Sequence, residues 1–129
     1  MSGGAGEGFR RLLARHLETN PRTWAALRSR GVDETTPLVI DFAFTAPGRR
    51  QADELVSVLR ERTNFPCEAR AEGPPLRRRW RVAGHTRPST ASAEMLDDWV
   101  TFMATVGAEH GCRFDGWGAA VPERPAGGE

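Results

Sequence analysis

Residues 38–45 read Leu-Val-Ile-Asp-Phe-Ala-Phe-Thr, and their alternation decides the fold class. Leu38, Ile40, Phe42 and Phe44 fall on one face of an extended chain, with Val39, Asp41, Ala43 and Thr45 on the other. Successive side chains of a strand point to opposite sides, so this is a half-buried strand, and Pro47-Gly48 stops it. Beyond that turn the period changes. Over residues 49–63, Ala52, Leu55, Val56 and Leu59 form one stripe while Arg50, Asp53, Glu54, Ser57 and Glu61 lie off it, which predicts a helix with one buried face. Residues 65–71 predict a strand, Gly73-Pro74-Pro75 a turn, and residues 78–87 another strand, with Trp80, Val82 and Gly84 opposite Arg79, Arg81, Ala83 and His85. Ser92 is placed to cap a long helix reaching about His110, with Leu96, Trp99, Met103 and Val106 as its seam and Gly111 as its stop. A last strand covers residues 112–121.

Upstream, Phe9, Leu12, Leu13 and His16 have the i, i+3, i+4, i+7 spacing of an amphipathic helix. Asn20-Pro21 reads as an N-cap and first helical residue of a second piece ending by Gly31, with Trp24 and Leu27 as its apolar contacts. The two pieces form either one bent helix or two. After them the order is strand, helix, strand, strand, helix, strand. That order predicts an α+β chain of ferredoxin-like βαββαβ plan, an antiparallel four-stranded sheet with two helices on one face and extra N-terminal helices. Residues 1–8 and 122–129, rich in Gly, Ala, Glu and Pro, are expected to be a disordered N-terminus and a flexible C-terminal tail around a single domain over residues 9–121.

A chain of 129 residues suits one core. Its net charge of +1 provides no overall field for steering a polyanion, although all 18 basic residues are arginine, a bias that a GC-rich coding sequence explains. No apolar run approaches the roughly 18 residues of a membrane span, and residues 1–8 lack the pattern of a signal peptide. Two cysteines, Cys67 and Cys112, are too few for a disulfide scaffold, so free thiols and a cytoplasmic location are expected, with no membrane partner.

The most distinctive string is Phe114-Asp115-Gly116-Trp117-Gly118. Two glycines flanking a tryptophan inside a strand predict a bulge or a close approach of another group. Packing of Trp117 and a turn capped by Asp115 account for the string structurally. The string, the long helix before it, the strand over residues 38–44, Trp24, Leu27 and Gly31-Val32-Asp33 together resemble the bacterial regulator of ribonuclease activity B over about residues 21–121. The resemblance implies a ferredoxin-like fold and a non-catalytic inhibitor that binds ribonuclease E and damps its cleavage of RNA. It makes Asp115, Gly116, Trp117 and Gly118 the signature or partner-binding residues. This chain departs from the acidic members of that family in being near neutral.

A second feature is Arg77-Arg78-Arg79-Trp80-Arg81. If its strand pairs with the one carrying Arg70, then Arg70, Arg77, Arg78, Arg79 and Arg81 form a possible patch for an anionic partner. The alternative function is therefore a small RNA- or phosphate-binding domain with an arginine-rich strand face; a solvated strand edge explains the same residues. The aromatic pattern with which related sheets stack RNA bases is missing. His110, Cys112, Cys67 and His85 lack the paired spacing of zinc ligands, and Asp97-Asp98 reads as a solvated helix face. No nucleophile elbow, phosphate loop or zinc-protease motif occurs, so neither an enzyme nor a cofactor is expected.

Overall fold

Phe42, Phe44 and Ala46 are buried on one side of strand β1 (Ile40–Ala46), with no exposed surface left on Phe44. The computed structural model describes residues 3–120. In chain order these form α1 (Gly3–Ser29), β1, α2 (Arg49–Thr63), β2 (Cys67–Glu72), a single 3-10 turn (Pro75–Arg77), β3 (Arg79–His85), α3 (Ala93–Glu109) and β4 (Arg113–Ala119). The four strands make one antiparallel sheet of order β2-β3-β1-β4. Phe44 lies opposite Val82 of β3 and Phe114 of β4, so one apolar row crosses three strands.

Onto that row pack Ala52, Leu55, Val56 and Leu59 of α2 and Val100, Met103, Ala104 and Val106 of α3, all in the same core cluster. The stripe read from the sequence is thus the buried face of α2. Magnitudes explain why that face turns inward. Each fully buried Leu, Val or Phe contributes roughly 1.5–3 kcal/mol, whereas exposed pairs such as Arg49–Asp53 (3.5 Å) and Arg50–Glu54 (3.4 Å) contribute about 0.3–0.5 kcal/mol each. Ser92 caps α3 as expected, its hydroxyl accepting from the Met95 amide at 3.2 Å.

The N-terminal reading needs correction. Of the two expected arrangements the single helix is found, α1 being continuous from Gly3 to Ser29 with Pro21 inside it, but it starts before Phe9, so residues 3–8 are helical where a disordered N-terminus was expected. Asn20 does not cap a helix either. It is buried, and its side chain is used in tertiary hydrogen bonds to Asp97 and Trp117. Phe9, Leu13 and Leu17 pack against the main cluster, while Trp24 and Leu27 join Val32, Leu38, Ile40, Ala91 and Leu96 in a second one. Between α1 and β1, the Asp33 carboxylate accepts from the Thr35 amide (2.8 Å) and hydroxyl (2.6 Å), which holds its pKa below the usual carboxylate range. The expected tail over residues 122–129 lies outside the described residues.

Gly84 marks the tightest approach in the sheet. A Cβ there would sit 2.3 Å from the Pro66 carbonyl oxygen and 2.8 Å from Cζ of Phe42. Gly84→Ala is therefore expected to destabilise the protein by about 1–3 kcal/mol through overpacking against backbone. Gly118→Ala, whose Cβ meets nothing within 4 Å, should stay within about 0.5 kcal/mol of wild type. Urea unfolding of the two variants checks this; equal midpoints would contradict it.

Candidate partner-binding site

The strand carrying the Phe-Asp-Gly-Trp-Gly string contains the bulge that its glycines predict. Phe114 pairs with Phe44 and Gly116 with Ala43, so Asp115 has no opposite residue and the register shifts there. In an uninterrupted strand, residues 114 and 117 would face opposite sides. The extra residue resets the phase, and Phe114 and Trp117 both face the helices, opposite Phe44 and Phe42. Gly116 takes φ of 132°, a region closed to side chains with a Cβ.

Asp115, next to Phe114, faces the open side of the sheet. It caps no turn, contrary to expectation; its carboxylate accepts from the Thr45 hydroxyl at 2.6 Å and from Nε of Arg113 at 3.0 Å. Trp117 is half-buried against both clusters, and its indole Nε1 donates to Oδ1 of Asn20 at 2.8 Å. Asn20 in turn donates through Nδ2 to Oδ1 of Asp97 at 2.9 Å. Asp97 is therefore more than a solvated helix residue. This chain of hydrogen bonds joins β4, α1 and α3. One turn earlier on α1, Nε2 of His16 donates to the Phe114 carbonyl at 2.9 Å, so α1 runs beside the β4 edge and engages a carbonyl there.

A groove of about 690 Å³ opens between α1 and the open sheet face. Ala43, Gly116 and Gly118 line it beside Asp41, Asp115 and Arg81 of the sheet, and Arg15, Thr19 and Thr23 of α1. Both signs of charge are present, and the large apolar residues lining it on the sheet side are Phe42 and Trp117. Gly118 needs no special backbone conformation and leaves open space above it.

The five sequence-predicted arginines separate into two groups. Arg70 and Arg81 are opposite each other on β2 and β3, and each has an acidic neighbour: Glu68 at 3.3 Å from Arg70 and Glu72 at 4.0 Å from Arg81. Arg77, Arg78 and Arg79 instead gather at the end of the sheet with Arg113, a residue the sequence reading did not single out. Trp80 packs against the core from the helix side, with the Arg49 guanidinium 5.8 Å from its ring centre. Among the described residues no group of three or more His, Cys, Asp or Glu side chains is placed to hold a metal ion. Cys67 and Cys112 are free and buried. Burial pushes both thiols up, Cys112 to about 11 with help from the charge of Glu54.

A model of the family described as regulator of ribonuclease activity B matches residues 17–119. The chain belongs to this family. No curated protein matches it. The matched segment begins within α1 and ends on the last residue of β4, so it contains Asn20, the whole sheet and the bulge. Members of the regulator of ribonuclease activity B family are regulators and not catalysts. No helix among the described residues is long and apolar enough to cross a membrane.

Two measurements follow from this geometry. Asn20→Ala leaves the Trp117 indole and the Asp97 carboxylate without their partner and should cost about 1–3 kcal/mol of unfolding free energy, with a change in tryptophan emission; an unchanged urea midpoint would show that the bridge contributes nothing. For Cys112 the folded pKa lies above the unfolded one, so its contribution to stability is full below about pH 9 and is lost as pH rises through about 11. Ellman's reagent at pH 8 should accordingly react slowly with native protein and rapidly after unfolding, and fast native reaction would contradict the burial of both thiols.

Proposed function

We propose that this chain binds a ribonuclease E-type endoribonuclease and damps its cleavage of RNA in the bacterial cytoplasm. The observation that carries the reading is the groove between α1 and the sheet, lined by the Asp115, Gly116, Trp117 and Gly118 string inside the segment matching the family. Membership in a family of regulators supports a role exerted by binding. The mixed lining supports a polar protein segment as the occupant: Arg15 and Arg81 offer guanidinium forks, Asp41 offers a carboxylate, and Thr19 and Thr23 offer hydroxyls. Asp115 is already engaged by Thr45 and Arg113, so it fixes the groove wall rather than reaching outward. The strand order β2-β3-β1-β4, with α2 between β1 and β2 and α3 between β3 and β4, supports a ferredoxin-like plan with α1 added before it.

Gly118 gives a clean test because it lines the groove and a Cβ placed on it meets nothing within 4 Å. Wild-type protein should slow RNA cleavage by the cognate nuclease. Gly118→Trp should unfold like wild type yet raise the half-inhibitory concentration about 30-fold, the loss expected when a central contact worth about 2 kcal/mol is blocked. Unaltered cleavage at about 10 μM wild-type protein, or full inhibition by Gly118→Trp, would overturn the proposal.

A further inference from the structure

We infer that the groove at the arginine-rich end of the sheet binds the phosphodiester backbone of single-stranded RNA. This groove, about 650 Å³, is lined by Arg77, Arg78 and Arg79 from the turn into β3 and by Arg113 from β4, with Thr45 of β1 between them. No Asp or Glu among the described residues lines it. Among the described residues no carboxylate approaches Arg77, Arg78 or Arg79 within 4.0 Å, whereas Arg70, Arg81 and Arg113 each have one. Glu72, which lies across the ladder from Arg79, is ion-paired with Arg81 instead. Three like charges with no ion-paired carboxylate among the described residues repel one another in one concavity and focus a positive potential, which a polyanion relieves. The choice of arginine over lysine carries no information in a chain that has no lysine; the position of the charges does.

The lining also discriminates between classes of polyanion. An acidic protein segment gains affinity chiefly from large apolar or aromatic anchors seated in pockets. Here the apolar lining is limited to small residues such as Ala46 and Pro47. A phosphate backbone needs cationic donors above all, and Arg77, Arg78, Arg79 and Arg113 supply these, while the Thr45 hydroxyl is already engaged by Asp115. Leu76, 98% exposed on the same turn, offers apolar surface to a base face. Because Asp41 and Thr45 lie at different ends of β1, an RNA strand here leaves the α1 groove accessible. That RNA rather than another polyanion is the ligand rests on the proposed ribonuclease reading.

The experiment is fluorescence anisotropy of a labelled oligouridylate with the full chain and no nuclease. Four phosphate contacts give a slope of log affinity against log salt of about −2.8, so binding should weaken about 50-fold between 50 and 200 mM salt. Substituting Arg77, Arg78 and Arg79 together by Ala should flatten that slope by about 2. A control removing the same charge at Arg10, Arg22 and Arg30, all exposed on or just after α1, should retain the wild-type slope. No binding at 50 mM salt overturns the inference, as does equal loss in the control variant. Displacement of RNA by polyglutamate at equal charge also overturns it, in favour of an acidic protein segment. Wild-type protein that slows the nuclease but binds no oligouridylate defeats this inference alone; RNA binding without inhibition defeats only the regulatory reading.

Discussion

The phase reset in β4 is the constraint on which the other contacts depend. Phe114 has no exposed surface and lies with its ring centre 5.3 Å from Phe44, 6.2 Å from Trp99 and 4.9 Å from His16. It could not share a side with Trp117 unless one residue between them were left out of the ladder. Once Asp115 is that residue, the Trp117 indole reaches Asn20, Asn20 reaches Asp97, and α1 is held beside both β4 and α3. The unpaired residue itself, next to Phe114, carries its carboxylate on the opposite face, where Thr45 and Arg113 take it up. One inserted residue thus serves the core and shapes the exposed face.

The sheet was legible because its strands have one buried face. Period two in residues 38–45 and the apolar stripes of α2 and α3 report burial directly, and Ser92 marks its helix by a local hydrogen bond. The reading failed where the deciding contact is distant in sequence. Asn20-Pro21 is locally a helix start, yet Asn20 is bonded to Asp97 and Trp117 and α1 runs unbroken through Pro21. The glycine-rich residues 3–8 look loose by composition but extend a helix whose next turns are anchored by Phe9, Leu13 and Leu17.

The candidate sites show the same division. The five-residue string was conspicuous because glycine is costly in a strand, and the bulge followed from that local fact. Arg113 was not conspicuous: a single arginine before the string acquires significance only because β4 pairs with β1 and its start lines one groove with Arg77, Arg78 and Arg79. Likewise Arg15 reads as one solvated helix residue until α1 is laid along the sheet edge. Antiparallel pairing also explains why the predicted cationic patch divides. Register sets Arg70 against Arg81 near Glu72, while Arg77 and Arg78 lie outside the ladder altogether.

This division gives the charge balance a different meaning. A net charge of +1 describes the chain at distances where its charges blur together, but at physiological salt interactions fade within about 8 Å. A ligand at contact range therefore meets only the charges around it. On the sheet face, Glu68, Glu72 and Asp115 each answer an arginine, and exposed pairs of that kind leave little net field. At the end of the sheet nothing within 4.0 Å answers Arg77, Arg78 or Arg79 among the described residues. Neutrality overall and a strongly positive end are compatible because the acids along the strands are ion-paired with arginines there, Glu72 with Arg81 although it lies opposite Arg79, and Arg77 and Arg78 lie beyond the last register position.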